Sequence, residues 1–264
     1  MLLPIQIKWK KTNLFLVLVL TVATCIQTKA QLTKVALISV YGNRNLSDNP
    51  LEKAMNEALL NDTSFNLAPF VEKFCGVINN DLLKEFPFPF VPKEEVLNSP
   101  GYKELAQFTG YTASGSGYNA IEGKVPLYNV AQGYIPIASF GIIDDVKAIK
   151  KSFEILPPDV DGVMIAYLSF KLVDQAGAFG ITIKKVQAYA NIKIFNKEGK
   201  RIFKLKDWES SKGGITAVYG YVAETKKIMP HIQDASNILF ESMKKKMAKS
   251  LAKLAKKIEK DKED

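Results

Sequence analysis

Few residues in this chain have the types and spacing that catalysis requires. The chain has one histidine, His231, so a Ser-His-Asp or Cys-His catalyst would have to use it as its base. The nucleophile-elbow pattern Gly-x-Ser-x-Gly fails at Ser116, because Ser114 stands where the pattern requires glycine. Neither residue therefore forms a recognisable catalytic motif.

Acidic residues in close pairs are the second possible source of chemistry. The pairs are Asp144/Asp145, Asp159/Asp161 and Glu94/Glu95. General acid–base catalysis needs carboxylates held across a cleft, whereas neighbours along the chain are typical of helix caps and turns. The sequence therefore predicts a protein that is not an enzyme, and an enzyme with an acid-only site is the minor alternative.

Metal and cofactor sites are not indicated either. An ordinary metal site needs several histidine or cysteine ligands at close spacing, and this chain has one histidine and two cysteines. Residues 110–117 resemble a phosphate loop, but Ser116 stands where the Walker pattern requires lysine. We therefore expect no metal and no cofactor.

Two glycine-tyrosine segments are the strongest candidates for binding. One is the region 109–141, which we expect to be a long loop with at most a small hairpin, and the other is 213–221. Tyrosine offers a large, rigid contact area with a polar tip, which suits protein interfaces and sugar rings. The alternative is that these tyrosines attach long loops to the body. The candidate binding residues are Tyr111, Tyr118, Tyr128, Tyr134, Tyr219 and Tyr221.

The first thirty residues have the three parts of a secretory signal. Lysines precede an apolar run of 13 residues, Leu14–Ile26, and Ala30 follows as a small residue at a usable cleavage position. The run is shorter than the ~20 residues that a membrane-spanning helix needs. We therefore expect residues 1–30 to be removed, giving a periplasmic or secreted protein that begins at Gln31. The alternatives are a lipoprotein acylated at Cys25, where Thr24 departs from the usual small residue, and an uncleaved anchor.

Charge is concentrated at the far end of the chain. The segment 241–264 contains nine lysines and five acidic residues, whereas residues 31–240 are close to neutral. A nucleic-acid-binding protein would carry a basic stripe across its folded body, so we expect no nucleic acid as partner. The basic segment is predicted to be a helical extension, either solvated or in peripheral contact with a membrane.

The elements that must position these residues follow from hydrophobic periodicity. Continuous apolar runs at 34–41 and 161–173 predict strands covered on both faces. Clean alternation over 185–195, a turn, and the returning segment 201–208 predict an antiparallel three-strand meander. Helical spacing predicts helices from about Pro69, over 142–156, and from Pro230 onwards. The predicted fold is α/β (α+β), with one mixed sheet, helices packed against it and a long C-terminal helix, all in a single domain over 31–264.

This order of elements resembles a group of bacterial envelope domains, on the segments KVALISV near Val35 and VDGVMIAYLSFKL around Met164 and on the meander before a final helix. The group comprises the amino-terminal domain of TolB, the activator LpoB and the curli secretion lipoprotein CsgG. The resemblance implies a non-enzymatic protein that works through protein contacts in the cell envelope. The alternative is a periplasmic binding protein for a glycan or another small ligand.

Overall fold

The computed structural model describes most of the chain beyond the leader, and residues Leu32–Lys256 form one compact unit. The predicted signal segment, Cys25 and most of the region 109–141 lie outside the described residues. The described residues are 32–46, 53–62, 64–105, 128–137, 142–218, 222 and 225–263.

The described part of the chain contains a mixed sheet of six strands. Its strands are β1 (Val35–Asn43), β2 (Tyr128–Val130), β3 (Gly162–Ala178), β4 (Ile181–Asn196), β5 (Arg201–Ser210) and β6 (Ile215–Val218). In the sheet they are ordered β2-β1-β3-β4-β5. The short strand β6 pairs with the first four residues of β4, from Ile181 to Lys184, on the side where β5 pairs further along the strand. Only β1 and β3 pair in parallel; all other neighbouring strands are antiparallel. The predicted fold class and the meander β3-β4-β5 are therefore confirmed.

Five α-helices are described between and after these strands, and three of them lie where the helical spacing of apolar residues predicted a helix. In chain order they are α1 (Lys53–Asn61), α2 (Ala68–Val77), α3 (Lys93–Leu97), α4 (Ile142–Ile155) and α5 (Ile228–Glu263). Helix α2 begins with Pro69 in its first turn, where a missing backbone N–H costs nothing, and continues as a π turn over Ile78–Leu82. The long C-terminal helix is confirmed as α5.

One face of the sheet packs against α2 and α5. Phe74 of α2 and Phe240 of α5 stack with ring centroids 5.7 Å apart, and Phe70 contacts Phe170 of β3 edge-on at 6.1 Å. The even-numbered residues of β4 point to this face and are buried, as the alternation in the sequence predicted. This face is covered along the meander except at the tip end of β3 and β4, where residues 174–178 are exposed.

The described elements cover the other face only over part of its width. Its apolar cluster joins β1 and the first half of β3 to α3, α4 and the segment around Tyr102. From β4 the cluster takes only Phe195, at the far end of the strand. The remaining side chains of β4 and β5 on this face are half-buried or exposed, and this uncovered area is called the open face below.

The predicted loop over 109–141 is partly wrong. Residues 128–130 form β2, which pairs with β1 at Tyr41↔Val130 and Asn43↔Tyr128. Further along, Ala131, Ile135 and Ile137 are buried. The many glycines and prolines obscured the period of a strand that is only three residues long. The segment 213–221 likewise contains a strand, β6, rather than loop alone.

Candidate functional site

The two described tyrosines among the six candidates are buried. Tyr128 and Tyr134 are 7% and 4% exposed, and burial raises the pKa of both hydroxyls. Tyr128 meets the Tyr41 ring edge-on at 5.8 Å, and Lys93 Nζ lies 5.3 Å from the Tyr134 ring. These two side chains attach their segment to the body, so the expectation that they offer a contact surface needs correction. Tyr111, Tyr118, Tyr219 and Tyr221 lie outside the described residues, and their role stays a prediction.

A tyrosine that the sequence did not single out holds the same segment in place. Tyr102 is buried, and its hydroxyl donates to the Ile38 carbonyl at 2.7 Å and accepts from the Ile135 N–H at 3.3 Å. Ser39 donates to the Ile135 carbonyl at 2.7 Å and accepts from the Ile137 N–H at 3.0 Å. The segment 131–137 is therefore bonded to β1 by one backbone hydrogen bond, from the Ala131 N–H to the Val40 carbonyl at 3.0 Å, and beyond it by side chains instead of a regular ladder.

The acidic pair Asp159/Asp161 has a structural role. Asp161 accepts hydrogen bonds from the Thr33 N–H and hydroxyl and from the Lys34 N–H, and Asp159 pairs with Lys34 Nζ at 2.9 Å. Both carboxylates thus hold the chain before β1 against the chain before β3. Within the described part of the chain, no group of three or more His, Cys, Asp or Glu residues could hold a metal ion.

The basic C-terminal segment uses some of its lysines within the fold. Lys246 of α5 pairs with Asp207 of β5, whose carboxylate is buried, and lies 3.9 Å from Glu209. Lys244 pairs with Asp81 at 3.0 Å. Leu254 is still buried, so the docked part of α5 extends well into the segment that we expected to project. Membrane contact through this helix stays a prediction.

On the described strands, the open face carries positive charge and no carboxylate. In the register of β4 and β5, Lys193 stands directly opposite Lys204, and Asn191 opposite Lys206. Like charges directly opposite on neighbouring strands are destabilising. None of the side chains that β3, β4, β5 and β6 direct to this face is acidic. The lysines on it are Lys171, Lys185, Lys193, Lys204 and Lys206.

Three aromatic rings cross the open face from strand to strand. Tyr189 of β4 pairs with Ser169 of β3 on one side and with Trp208 of β5 on the other. The rings of Tyr167 and Tyr189 meet edge-on, with centroids 6.2 Å apart. Lys206 Nζ lies 5.5 Å from the Tyr189 ring and 5.2 Å from the Trp208 ring, within the range of cation–π attraction. Trp208 itself is 52% exposed.

The clustering of positive charge on the open face affects the pKa of Lys204. Partial burial lowers the pKa of its ammonium group, and the positive charges of Arg201, Lys206 and Lys193 lower it further. A lowered pKa means that the charged form of Lys204 is less favourable in the folded protein than in the unfolded chain. A negatively charged partner would relieve that cost. We call Tyr189, Lys193, Lys204, Lys206 and Trp208 the basic-aromatic patch.

The sequence predicted the two strands that carry the basic-aromatic patch, but it did not predict the patch itself. The alternation of β4 placed Tyr189 and Lys193 on one side of the sheet, and the segment RIFKLKDW alternates in the same way. Aligning the two strands across their turn would have brought Lys204, Lys206 and Trp208 beside them. Whether a helix covers that side depends on packing, which the alternation does not reveal.

Comparisons with known proteins identify no family for this chain. No family model and no curated protein matches it. Among solved structures, it is similar to the hypothetical protein CT253 from Chlamydia trachomatis, with 11% identity, a TM-score of 0.38, and coverage of 83% of this chain and 94% of that one. It is also similar to a candidate lipoprotein from Caulobacter crescentus CB15, with 14% identity, a TM-score of 0.21, and coverage of 36% and 69%. Scores this low establish neither a shared fold nor a function, and the resemblance to TolB, LpoB and CsgG stays a prediction.

In the described part of the chain, no helix is both long enough and apolar enough to cross a bilayer.

Proposed function

We propose that this chain is an exported, non-enzymatic cell-envelope protein that binds an acidic partner protein through the basic-aromatic patch. The observation that carries the proposal is the cross-strand pair Lys193–Lys204, beside Lys206 and a half-exposed Trp208, on a face whose described strands carry no acidic side chain. Such a pair costs folding stability unless a negative charge is brought to it.

A protein partner suits the shape and composition of the patch. Its residues come from two neighbouring strands of a sheet, so they form a broad surface that a second folded surface can cover. Tryptophan, tyrosine and a ring of lysines match the anchor-and-rim composition of protein interfaces, in which aromatic side chains contribute most of the affinity. Charge complementarity would set the association rate and its dependence on salt.

Binding of a glycan is the second candidate. The edge-on contact of Tyr167 with Tyr189, and the neighbouring Trp208, provide ring surfaces of the kind that sugar faces contact. A broad sheet surface holds such a ligand less completely than a cleft does. A purified partner and soluble anionic glycans, titrated side by side, separate the two candidates.

The direct test is a pull-down from envelope extract with a charge-reversed patch. Lys204→Glu with Lys206→Glu should abolish recovery of the partner, and Lys226→Glu, an exposed lysine before α5, is the matched control. The recovered protein is then purified, and its dissociation constant is measured against salt; affinity should fall as ionic strength rises. A partner retained equally by the double variant would contradict the proposed surface.

The identity of the N-terminal residue of the protein in cells tests whether it is exported. The leader, with its lysines, apolar run and Ala30, supports cleavage before Gln31. Mass spectrometry of the mature protein should find Gln31 first, and an acylated Cys25 would support the lipoprotein alternative. An intact Met1 form in the cell interior would contradict export.

A further inference from the structure

The hairpin β3-β4 ends in an exposed phenylalanine. The two strands pair as far as Ala178 and Ile181, so the turn consists of Phe179 and Gly180 alone. Both residues have positive φ, 51° for Phe179 and 80° for Gly180, as a type I′ turn requires. The Phe179 side chain is as exposed as in a free peptide, at 101%. No other large apolar side chain of the described fold is as exposed.

Phenylalanine is an unfavourable residue for this turn position. Asn-Gly and Asp-Gly are the preferred pairs in type I′ turns, because asparagine and aspartate tolerate positive φ better than a bulky residue does. The turn is also tightly built, since a Cβ atom on Gly177 would lie 2.8 Å from the Ile181 carbonyl oxygen. The chain therefore holds an aromatic ring outward at a cost in local stability. Strain of this kind is typical of functional positions.

The surroundings of Phe179 are apolar and uncharged. Residues 175–183, which we call the hairpin tip, contain no charged side chain. Ile181 pairs with Val218 of β6, and these two side chains are 53% and 51% exposed. Ile183, on the same face of β4, is 44% exposed. Together with Phe179 they form a projecting apolar end, and such patches mark contacts with a protein or a membrane.

Among the described residues, the charges nearest to the tip are balanced or positive. Asp174 pairs with the buried Lys184 at 2.6 Å, so its charge is compensated. On the open face, the next charged side chains are Lys185 of β4 and Lys171 of β3. An apolar end followed by lysines is complementary to a bilayer surface with anionic headgroups, where apolar groups enter the acyl boundary and lysines reach the phosphates.

We infer that the hairpin tip inserts into the headgroup region of an anionic lipid bilayer, with Phe179 deepest and Lys185 facing lipid phosphates. A fluid interface accepts a narrow projecting end without the complementary pocket that a folded partner would need. Lys185 lies four residues from Ile181 along β4, roughly 13 Å at ~3.3 Å per residue, whereas Tyr189 lies eight residues away, roughly 26 Å. A tip that enters the bilayer end-on therefore leaves the basic-aromatic patch free for a protein, and the lipid contact does not rest on the proposed function.

The test is flotation of the chain from Gln31 onwards with lipid vesicles, which leaves intact the compact unit Leu32–Lys256. Vesicles of phosphatidylethanolamine with a quarter phosphatidylglycerol should carry the protein, and vesicles of phosphatidylcholine alone should carry much less. The decisive variant is Phe179→Asn, which installs the preferred Asn-Gly turn. It should raise the melting temperature or leave it unchanged, and it should lower partitioning by about tenfold or more, as expected when one buried aromatic ring is lost.

Two further variants and a spectroscopic measurement complete the experiment. Lys185→Gln should reduce the preference for anionic vesicles, and Lys206→Gln, outside the tip, should leave partitioning unchanged. In a Trp208→Phe background, Phe179→Trp gives the chain from Gln31 a single tryptophan, whose emission should shift to shorter wavelength with anionic vesicles.

The inference is overturned by any of three results. These are unchanged flotation of Phe179→Asn, an emission maximum that stays where it is when vesicles are added, and self-association without lipid that Phe179→Asn abolishes. The last would assign the tip to a second copy of the chain. Loss of the protein partner with the Lys204/Lys206 charge reversal would leave the tip result unaffected, so the two proposals fail separately.

Discussion

Lys193 of β4 and Lys204 of β5 stand directly opposite each other across an antiparallel strand pair. Lys206 and Arg201 add positive charge next to Lys204 and help to lower its pKa. Cross-strand pairs are the unit in which sheet stability is determined, and like charges in such a pair oppose folding. We therefore expect this pair to lower the free energy of unfolding of the free protein by a measurable amount.

Reversing one charge of this pair should stabilise the free protein. Lys204→Glu replaces a like-charge pair with an opposite-charge pair, and we expect the free energy of unfolding to rise by about 0.5 kcal/mol. Urea denaturation at low and high salt measures the effect, which should shrink as salt screens the charges. Lys226→Glu is the control for a general change in net charge. Destabilisation by Lys204→Glu at low salt would show that Lys204 makes a favourable contact in the free protein.

Lys204 should also make the free energy of unfolding depend on pH. The folded-state pKa of Lys204 lies below its ordinary value of 10.5, so between those two pH values the unfolded state binds more protons than the folded state. Stability contributed by this residue should therefore rise with pH as the folded-state pKa is passed. The melting temperatures of the wild type and Lys204→Gln are measured from pH 8 to 10.5. As the pH rises, the melting temperature of the wild type should increase relative to that of Lys204→Gln. A difference that is constant over this range would contradict the lowered pKa.

Removing the Tyr102 hydroxyl should weaken the attachment of residues 131–137 to β1. In Tyr102→Phe the buried Ile38 carbonyl and Ile135 N–H lose their partner, and we expect a loss of about 1–3 kcal/mol in the free energy of unfolding. Urea denaturation measures the loss, and amide exchange at Ile135 should increase. Tyr189→Phe, at a half-buried ring on the open face, should change stability by less than about 0.5 kcal/mol. Equal effects of the two substitutions would argue against the hydrogen-bonded role of Tyr102.

The ion pair between Lys246 and Asp207 should be needed for docking of the C-terminal helix. Asp207 is 1% exposed, so Lys246→Gln leaves a buried carboxylate without its counter-charge. Lys246 is half-exposed, and we expect a destabilisation of about 1–2 kcal/mol, below the value for a fully buried pair. Lys249→Gln, at an exposed position on the same helix, is the matched control. Destabilisation by Lys246→Gln should be reduced when Asp207 is also changed to Asn; additive effects would mean that the two residues act independently.

Cys75 should be unreactive in the folded protein. It is the free cysteine of the described residues, it is buried, and burial raises the pKa of its thiol. We expect a disulfide reagent at pH 8 to modify it at least about a hundredfold more slowly in the folded than in the urea-unfolded protein, because both access and thiolate formation are reduced. Reaction of the folded protein at the unfolded rate would place Cys75 in a segment that opens readily.

The secondary structure was predictable where one period runs over many residues. The apolar run of β1, the alternation of β4 and the helical spacing of α5 each placed an element correctly, because burial on both faces, on one face or on one stripe leaves a distinct pattern. The strand β2 was missed because three residues cannot show a period. The end of β3 and the start of β4 were also missed: these residues are exposed on both sides of the sheet, so burial imposes no pattern on Gln175 or Ile181.

The candidate site was less predictable than the fold. Tyrosines in glycine-rich segments were expected to bind a partner, but Tyr128 and Tyr134 are in the core, because an aromatic ring beside a short strand is buried as readily as one in a longer element. Trp208 and Lys206 were placed on a strand without comment. Their importance depends on Tyr189 and Lys193, which are more than a dozen residues away in the chain and adjacent in the sheet.

The sequence alone determined which side chains share a face of each strand, because the period of two is a property of the extended backbone. It also determined the charges that those faces carry and the apolar content of the hairpin tip. Only the tertiary structure decided which face is covered. Helices α2 and α5 cover the even-numbered side of β4 along the meander, whereas α3 and α4 stop at β1, β3 and the end of β4. That choice depends on packing between elements far apart in the chain, and it leaves the lysines, Trp208 and Phe179 facing solvent.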